Sequence, residues 1–205
     1  MPGADGPTPH AGAGSGRWLD DEHFRHLHHP DRERWLPKEP VLAMLALAPG
    51  MTVADVGAGS GYLTGPLAEA VGQTGAVFAV DPSPAAHRHL AERFGGDEWP
   101  QVVRRVGTAE ATGLADASVD RILWHAVFHE LADRGRAWAE ARRILKPGGR
   151  LVVVDWKPEP TPMGPPVAER VAAATAAAEA EAAGFRVVER TEPGPATWGL
   201  VLERP

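Results

Sequence analysis

The sequence predicts an α/β fold with helices on both faces of a mostly parallel sheet, and three observations carry that reading. A short apolar run through Val53, Ala54, Asp55 and Val56 breaks into Gly57-Ala58-Gly59-Ser60-Gly61-Tyr62 and opens an amphipathic segment that ends near Val71. A second run, Val77-Phe78-Ala79-Val80, ends in Asp81, 20 residues beyond Gly61. Further short apolar runs then alternate with helical segments, the pattern of a sheet assembled from successive strand–helix units.

Taken in order, residues 1–16 are rich in Gly, Pro, Ala and Ser and bury too little to order themselves, so a disordered tail is expected. From Arg17 the composition changes, with Trp18, Phe24, Leu27, Trp35 and Leu36 set among His23, His26, His28, His29 and many charges; residues 17–50 read as a helical lid segment ahead of the main domain, 51–205. Pro40 to Ala48 is an expected helix, stopped by Pro49-Gly50. The first strand follows over Met51 to Val56, then a helix to Val71, the strand ending at Asp81, a helix over Pro84 to Phe94 and a strand over Val102 to Val106. Asp116 to Leu123 forms a turn and the fourth strand, Asp133 to Leu145 a helix with four arginines (Arg134, Arg136, Arg142, Arg143) mostly outward, and Lys146-Pro147-Gly148-Gly149 a turn. Leu151 to Val154 is a buried strand, Pro158 to Pro166 a stiff loop with five prolines, and Val167 to Ala183 an alanine-rich helix. Phe185 to Glu189 and Thr197 to Leu202 are the last two strands.

The glycine loop is where a ligand should lie. Gly57 and Gly59 let the backbone turn tightly and approach a ligand, and Gly61 allows the helix start to pack closely. The pattern is G-x-G-x-G; a dinucleotide fingerprint wants Gly or Ala where Tyr62 stands, and the absence of Lys followed by Ser or Thr excludes a P-loop. Asp55, just before the turn, repels a pyrophosphate but welcomes an ammonium group, so a nucleoside carrying an amino acid fits better than one carrying phosphates. Asp81 at its strand tip is suited to accept both ribose hydroxyls.

With these two signals on the page, the chain resembles the class I S-adenosylmethionine (SAM) dependent methyltransferases. The match continues through Gly107-Thr108-Ala109-Glu110, Ser118 to Trp124 and Leu145-Lys146-Pro147-Gly148-Gly149-Arg150-Leu151, and covers about residues 29 to 204. The motif set is most like the broad group that includes the ubiquinone and menaquinone C-methyltransferases. Within it, His29-Pro30-Asp31-Arg32-Glu33-Arg34-Trp35-Leu36, Asp155-Trp156-Lys157 and Thr161 to Pro166 resemble a small uncharacterised prokaryotic group. The resemblance implies a Rossmann-like seven-stranded sheet with an antiparallel last strand, SAM as cofactor, and an N-terminal segment folded across the cofactor mouth. It assigns Asp55, Gly57, Ala58, Gly59, Ser60, Gly61, Tyr62, Asp81 and Pro82 to the cofactor, with Trp124 and His125 beside it. The family usually holds the adenine amino group with an acid where this chain has Thr108, which leaves the Ala109 backbone and Glu110 as candidates.

Acceptor chemistry is expected from Trp124-His125-Ala126-Val127-Phe128-His129-Glu130, delivered by the fourth strand to the ligand crevice. His125 and His129 are four apart and face the same way if this loop is helical. His129 is a candidate general base or substrate-orienting group, with Glu130 as its partner or as a substrate contact; the alternative is that both histidines pack the loop. No metal is expected: His26 and His29 lack a familiar completing set, and a metal held by His125, His129 and an acid is the weaker reading of that loop.

Composition bounds the rest. The 205 residues suit one domain with a full core, and 21 basic against 27 acidic residues give a charge of −6, which disfavours nucleic acid. The absence of cysteine excludes disulfides, thiolate nucleophiles and the thiolate chemistry of arsenite methyltransferases. No apolar run is long enough to span a membrane, and a cytoplasmic monomer or homodimer acting on a small-molecule acceptor is expected. The competing readings are a SAM-binding protein without transferase activity and an NAD-dependent oxidoreductase, the latter disfavoured by Tyr62 and the Lys-Pro-Gly-Gly turn.

Overall fold

The computed structural model describes residues 31–205; the expected tail and the histidines at 23, 26, 28 and 29 lie outside the described residues. Two short helices, α1 (Asp31–Trp35) and α2 (Lys38–Leu45), precede β1 (Thr52–Val56), α3 (Thr64–Val71), β2 (Ala76–Asp81), α4 (Pro84–Phe94) and β3 (Val102–Val106). The second half comprises β4 (Val119–His125), α5 (Arg134–Ile144), β5 (Leu145–Trp156), α6 (Ala173–Ala182), β6 (Arg186–Thr191) and β7 (Thr197–Glu203), with short 3₁₀ turns at Phe128–Glu130 and Val167–Glu169.

The strands form a single sheet in the order β3-β2-β1-β4-β5-β7-β6. β3, β2, β1, β4 and β5 are parallel, and β7 runs antiparallel between β5 and β6. The direction of winding reverses between β1 and β4, so the loops leaving these two strands open a crevice at the carboxyl edge, the usual ligand site of such sheets. Strand alternation divides the apolar residues between the faces: Ala54, Val56, Ile122 and Trp124 join α5 and α6 in one core, whereas Val53, Val77, Leu123 and Val152 join α2 and α3 in the other. Central strands β1, β4 and β5 are almost wholly buried, while edge strands β3 and β6 carry exposed charges such as Arg104, Arg105, Glu189 and Arg190, which discourage further pairing.

Several boundaries differ from expectation for identifiable reasons. α2 ends earlier, because Ala46 turns left-handed at φ 46° and its N–H bonds back to Ala43. It also buries Val41, Met44 and Leu45 in the same core as α3, so this part of the expected lid segment is a layer of the domain. The Lys146–Gly149 turn is an excursion within β5: Val119 pairs with Leu145 and Arg121 with Arg150, leaving four residues looped out. The alanine-rich helix starts at Ala173 instead of Val167, since Arg170 is buried and its guanidinium donates to the carbonyls of Pro165 (2.9 Å), Lys157 (3.1 Å) and Glu159 (2.6 Å) and to Thr161 Oγ1 (2.8 Å). That knot holds the proline-rich loop, and Gly164 packs directly on the Trp156 ring. Two of the four expected outward arginines are engaged: Arg134 with Glu179 at 2.9 Å, and Arg143 with Glu140 at 2.7 Å.

Candidate cofactor and acceptor site

Three of the loop glycines occupy the left-handed region that sterics forbid most residues: Gly57 (φ 74°), Gly59 (φ 55°) and Gly61 (φ 80°). The bend is held by its neighbours, with the N–H groups of Gly57 and Ala58 donating to Val80 O at 2.8 and 3.1 Å. A Cβ at Gly57 would collide with Val127, and one at Gly61 would lie 2.5 Å from Phe94 Cε2. The helix itself begins only at Thr64, one turn after the last glycine.

Asp55 and Asp81 flank this bend. Asp55 is buried, accepts a hydrogen bond from Thr64 Oγ1 at 2.6 Å, and has its pKa pushed up to about 6 by burial, partly offset by that hydrogen bond, with the nearby Asp81 charge adding to the rise. Asp81 accepts from Gly59 N (2.9 Å) and Ser83 N (2.8 Å); burial raises its pKa despite these bonds. Neither carboxylate forms a salt bridge among the described residues. The buried Ser60 Oγ has no hydrogen-bond partner among the described residues. A glycine bend that a Cβ would fill, an orphaned hydroxyl and two buried acids without a salt bridge fit a cationic nucleoside such as SAM, whose ribose would meet Asp81 and whose amino-acid end would meet the loop and Asp55.

The loop after β4 closes the other side. Ala126 turns left-handed (φ 56°) and Phe128–Glu130 forms a 3₁₀ turn, so His125 and His129 do not share a helical face. His125 stacks on Tyr62 (centroids 6.0 Å, interplanar angle 22°), and burial together with the charge of Arg32 lowers its pKa to about 3. His129 instead turns to β5. Its Nδ1 lies 2.8 Å from Asp155 Oδ1, its backbone N–H donates to Asp155 Oδ2 at 3.0 Å, and its Nε2 is 3.5 Å from Glu130 Oε1. Burial opposes charge on this ring, but Asp155 and then Glu130 outweigh it and raise the pKa to about 10. The two carboxylates thus favour the protonated form of the imidazole.

The Trp124 ring points into the core against Trp138 (4.8 Å) and Phe128 (6.2 Å). Glu110 accepts the N–H groups of Ala132 (3.1 Å) and Asp133 (3.2 Å) ahead of α5, satisfying donors at that helix start. Ala58 and Ala109 are buried and Pro82 is half-buried beside Asp81. Tyr62 ties the N-terminal elements to the glycine loop: its hydroxyl lies 2.8 Å from Glu33 Oε2 and 2.9 Å from Leu36 O, and Lys38 Nζ sits 4.4 Å from its ring centre. Asp155 was legible only as a residue at the carboxyl end of a strand, and Arg32 only as part of the lead-in motif. Among the described residues no cluster of three His, Asp or Glu side chains could hold a metal, and no helix is long and apolar enough to cross a membrane.

Comparisons with known proteins agree with this geometry. A family profile described as a methyltransferase domain matches residues 54–153. A crystal structure of a SAM-dependent methyltransferase from Aquifex aeolicus is 30% identical, superposes with a TM-score of 0.86, and covers 92% of this chain and 100% of that one. The chain belongs to the class I SAM-dependent methyltransferases. Among curated relatives, an arsenite methyltransferase of Halobacterium salinarum is 32% identical over 55% of this chain and 29% of its own, and a ubiquinone/menaquinone biosynthesis C-methyltransferase of Bordetella avium is 33% identical over 57% and 45%. The chain thus spans less than half the length of these curated relatives. Membership implies SAM as the cofactor.

Proposed function

We propose that this methyltransferase moves the methyl group of SAM to a small-molecule acceptor bearing an acidic proton. The observation that supports the choice of cofactor is the pair of buried carboxylates, Asp55 and Asp81, beside the glycine bend without a salt bridge among the described residues. A phosphate would be repelled there, and a sulfonium with an ammonium group would be attracted. SAM when bound supplies an already activated methyl group.

The work left to the chain is orientation, exclusion of water and management of one proton. His129, charged and locked against Asp155, would hold the acceptor through its Nε2 side. An imidazolium there would lower the pKa of an acidic O–H or C–H, so that the nucleophile arrives as an anion and its proton leaves to solvent or to Glu130. Trp156 and the loop from Pro158 to Pro166 would form the far wall. The lack of cysteine argues against arsenite as acceptor. Incubating the protein with isotopically labelled SAM and a metabolite extract should yield a labelled small product; binding of S-adenosylhomocysteine with no transferred label across the extract would overturn the reading.

A further inference from the structure

Arg32 lies on α1 with its side chain buried, and among the described residues its charge meets no carboxylate. It is 8% exposed, and its guanidinium stands 4.6 Å from the centre of the Tyr62 ring. Among the described residues its side chain makes no hydrogen bond and no ion pair, and Nε is buried without a partner. The acid next to it in the chain, Glu33, is held by Lys38 (2.7 Å) and Tyr62. Two more orphaned atoms lie around the same tyrosine: Nε2 of His125, whose ring stacks on it, and Oγ of Ser60, two residues before it. A buried cation costs several kcal/mol unless an anion or hydrogen-bond acceptors compensate it, and stacking on one ring recovers only about 1–2 kcal/mol. Burial lowers the Arg32 pKa to about 10, which still leaves it charged. An arginine of this kind suits a planar, two-oxygen anion, which it can hold by two parallel hydrogen bonds.

We propose that Arg32 receives a carboxylate at the junction of α1, Tyr62 and His125, carried by the amino-acid end of the cofactor or by an acidic methyl acceptor. The inference rests on the methyltransferase reading above. His125 stays neutral beside it and offers its free Nε2 to the same anion, while the Tyr62 ring serves as the platform that both side chains flank.

Calorimetry of wild type, Arg32→Gln and Arg32→Lys with S-adenosylhomocysteine and with methylthioadenosine, which lacks the carboxylate, tests the first source. Labelled transfer from SAM into an extract separated by anion exchange tests the second. If the cofactor supplies the anion, Arg32→Gln weakens S-adenosylhomocysteine by about tenfold or more and leaves methylthioadenosine unchanged. If the acceptor supplies it, both nucleosides bind as in wild type and the anionic share of labelled product falls by about tenfold. Arg32→Lys, which keeps the charge but loses the fork, should fall in the same arm by a smaller factor, and it serves alone if the glutamine variant does not fold. Variants that match wild type in both arms, or that lose both nucleosides equally, overturn the proposal. A wild-type protein that binds neither nucleoside overturns the cofactor reading and this inference with it.

Discussion

Asp155 grips His129 twice, with one carboxylate oxygen 2.8 Å from the ring Nδ1 and the other accepting the backbone N–H of the same residue at 3.0 Å. The double hold fixes ring and main chain together, and Asp155 also takes the N–H of Trp156 at 2.7 Å. One buried acid thereby ties the ring, its main chain and the end of β5 together.

Asp155→Asn should remove the counter-charge that keeps His129 protonated. The wild-type imidazolium, raised to about 10, contributes stability that is complete below the unfolded value near 6.5 and is lost as pH rises through the folded value. Transfer by wild type should hold across neutral pH, whereas the variant should lose about 10–100-fold and decline further as pH rises through neutrality. Rate profiles between pH 6 and 9, with S-adenosylhomocysteine affinity as control, check this; a variant profile parallel to wild type would remove His129 charge from the reaction.

Asp55→Asn should make the empty protein more stable and bind SAM less tightly. Because the folded pKa is raised to about 6, stability falls as pH climbs from about 4 to 6 and stays reduced above it. The amide can still accept from Thr64, so the variant should gain roughly 2–3 kcal/mol at pH 7.5, a gain that vanishes below pH 4. Denaturant titrations at the two pH values, with calorimetry for SAM, decide it.

Glu140 ties α5 to the segment before β4, accepting from Thr112 N and Oγ1 at 2.8 and 2.6 Å and from Arg143. Burial opposes ionisation, but the bonds from Arg143 and Thr112 prevail and hold the pKa near 2. Its stabilisation is therefore present above the unfolded value of 4.5 and disappears as pH falls toward 2. Glu140→Gln should cost roughly 2 kcal/mol at pH 7 and nothing near pH 2, as read from urea midpoints.

Arg170→Met should free the proline-rich loop, because five acceptors lose one donor group. The expected signs are faster proteolysis between residues 157 and 170 and an altered Trp156 emission, with a stability loss of about 2 kcal/mol. Cofactor affinity should change little, since Arg170 touches none of the glycine-loop residues. Equal damage to cofactor and acceptor binding would contradict a separate wall.

Much of the sheet was readable because its strands announce themselves: Val77 to Asp81 is a buried run ending in an acid, and Ser83-Pro84 marks a helix start through a cap and a preset φ. The Gly57, Gly59 and Gly61 bend was readable for the same local reason. What escaped was non-local. Nothing in the spacing of residues 167 to 172 says that Arg170 will abandon a helix to satisfy carbonyls several residues back, nor that Asp155 will meet His129 across 26 positions. The helical premise for His125 and His129 failed on one residue, Ala126, whose left-handed turn propensity scales do not anticipate. The tie of Glu110 to the start of α5 escaped for the same reason, since its partners lie 22 and 23 positions further along the chain.

Tyr62 is the chain's single tyrosine. Its phenol joins Glu33 and Leu36 to the glycine bend. A fluorinated tyrosine incorporated biosynthetically would thus place one resonance at that seam, so seating of a ligand could be followed at a single atom without labelling chemistry, assignment or a tag.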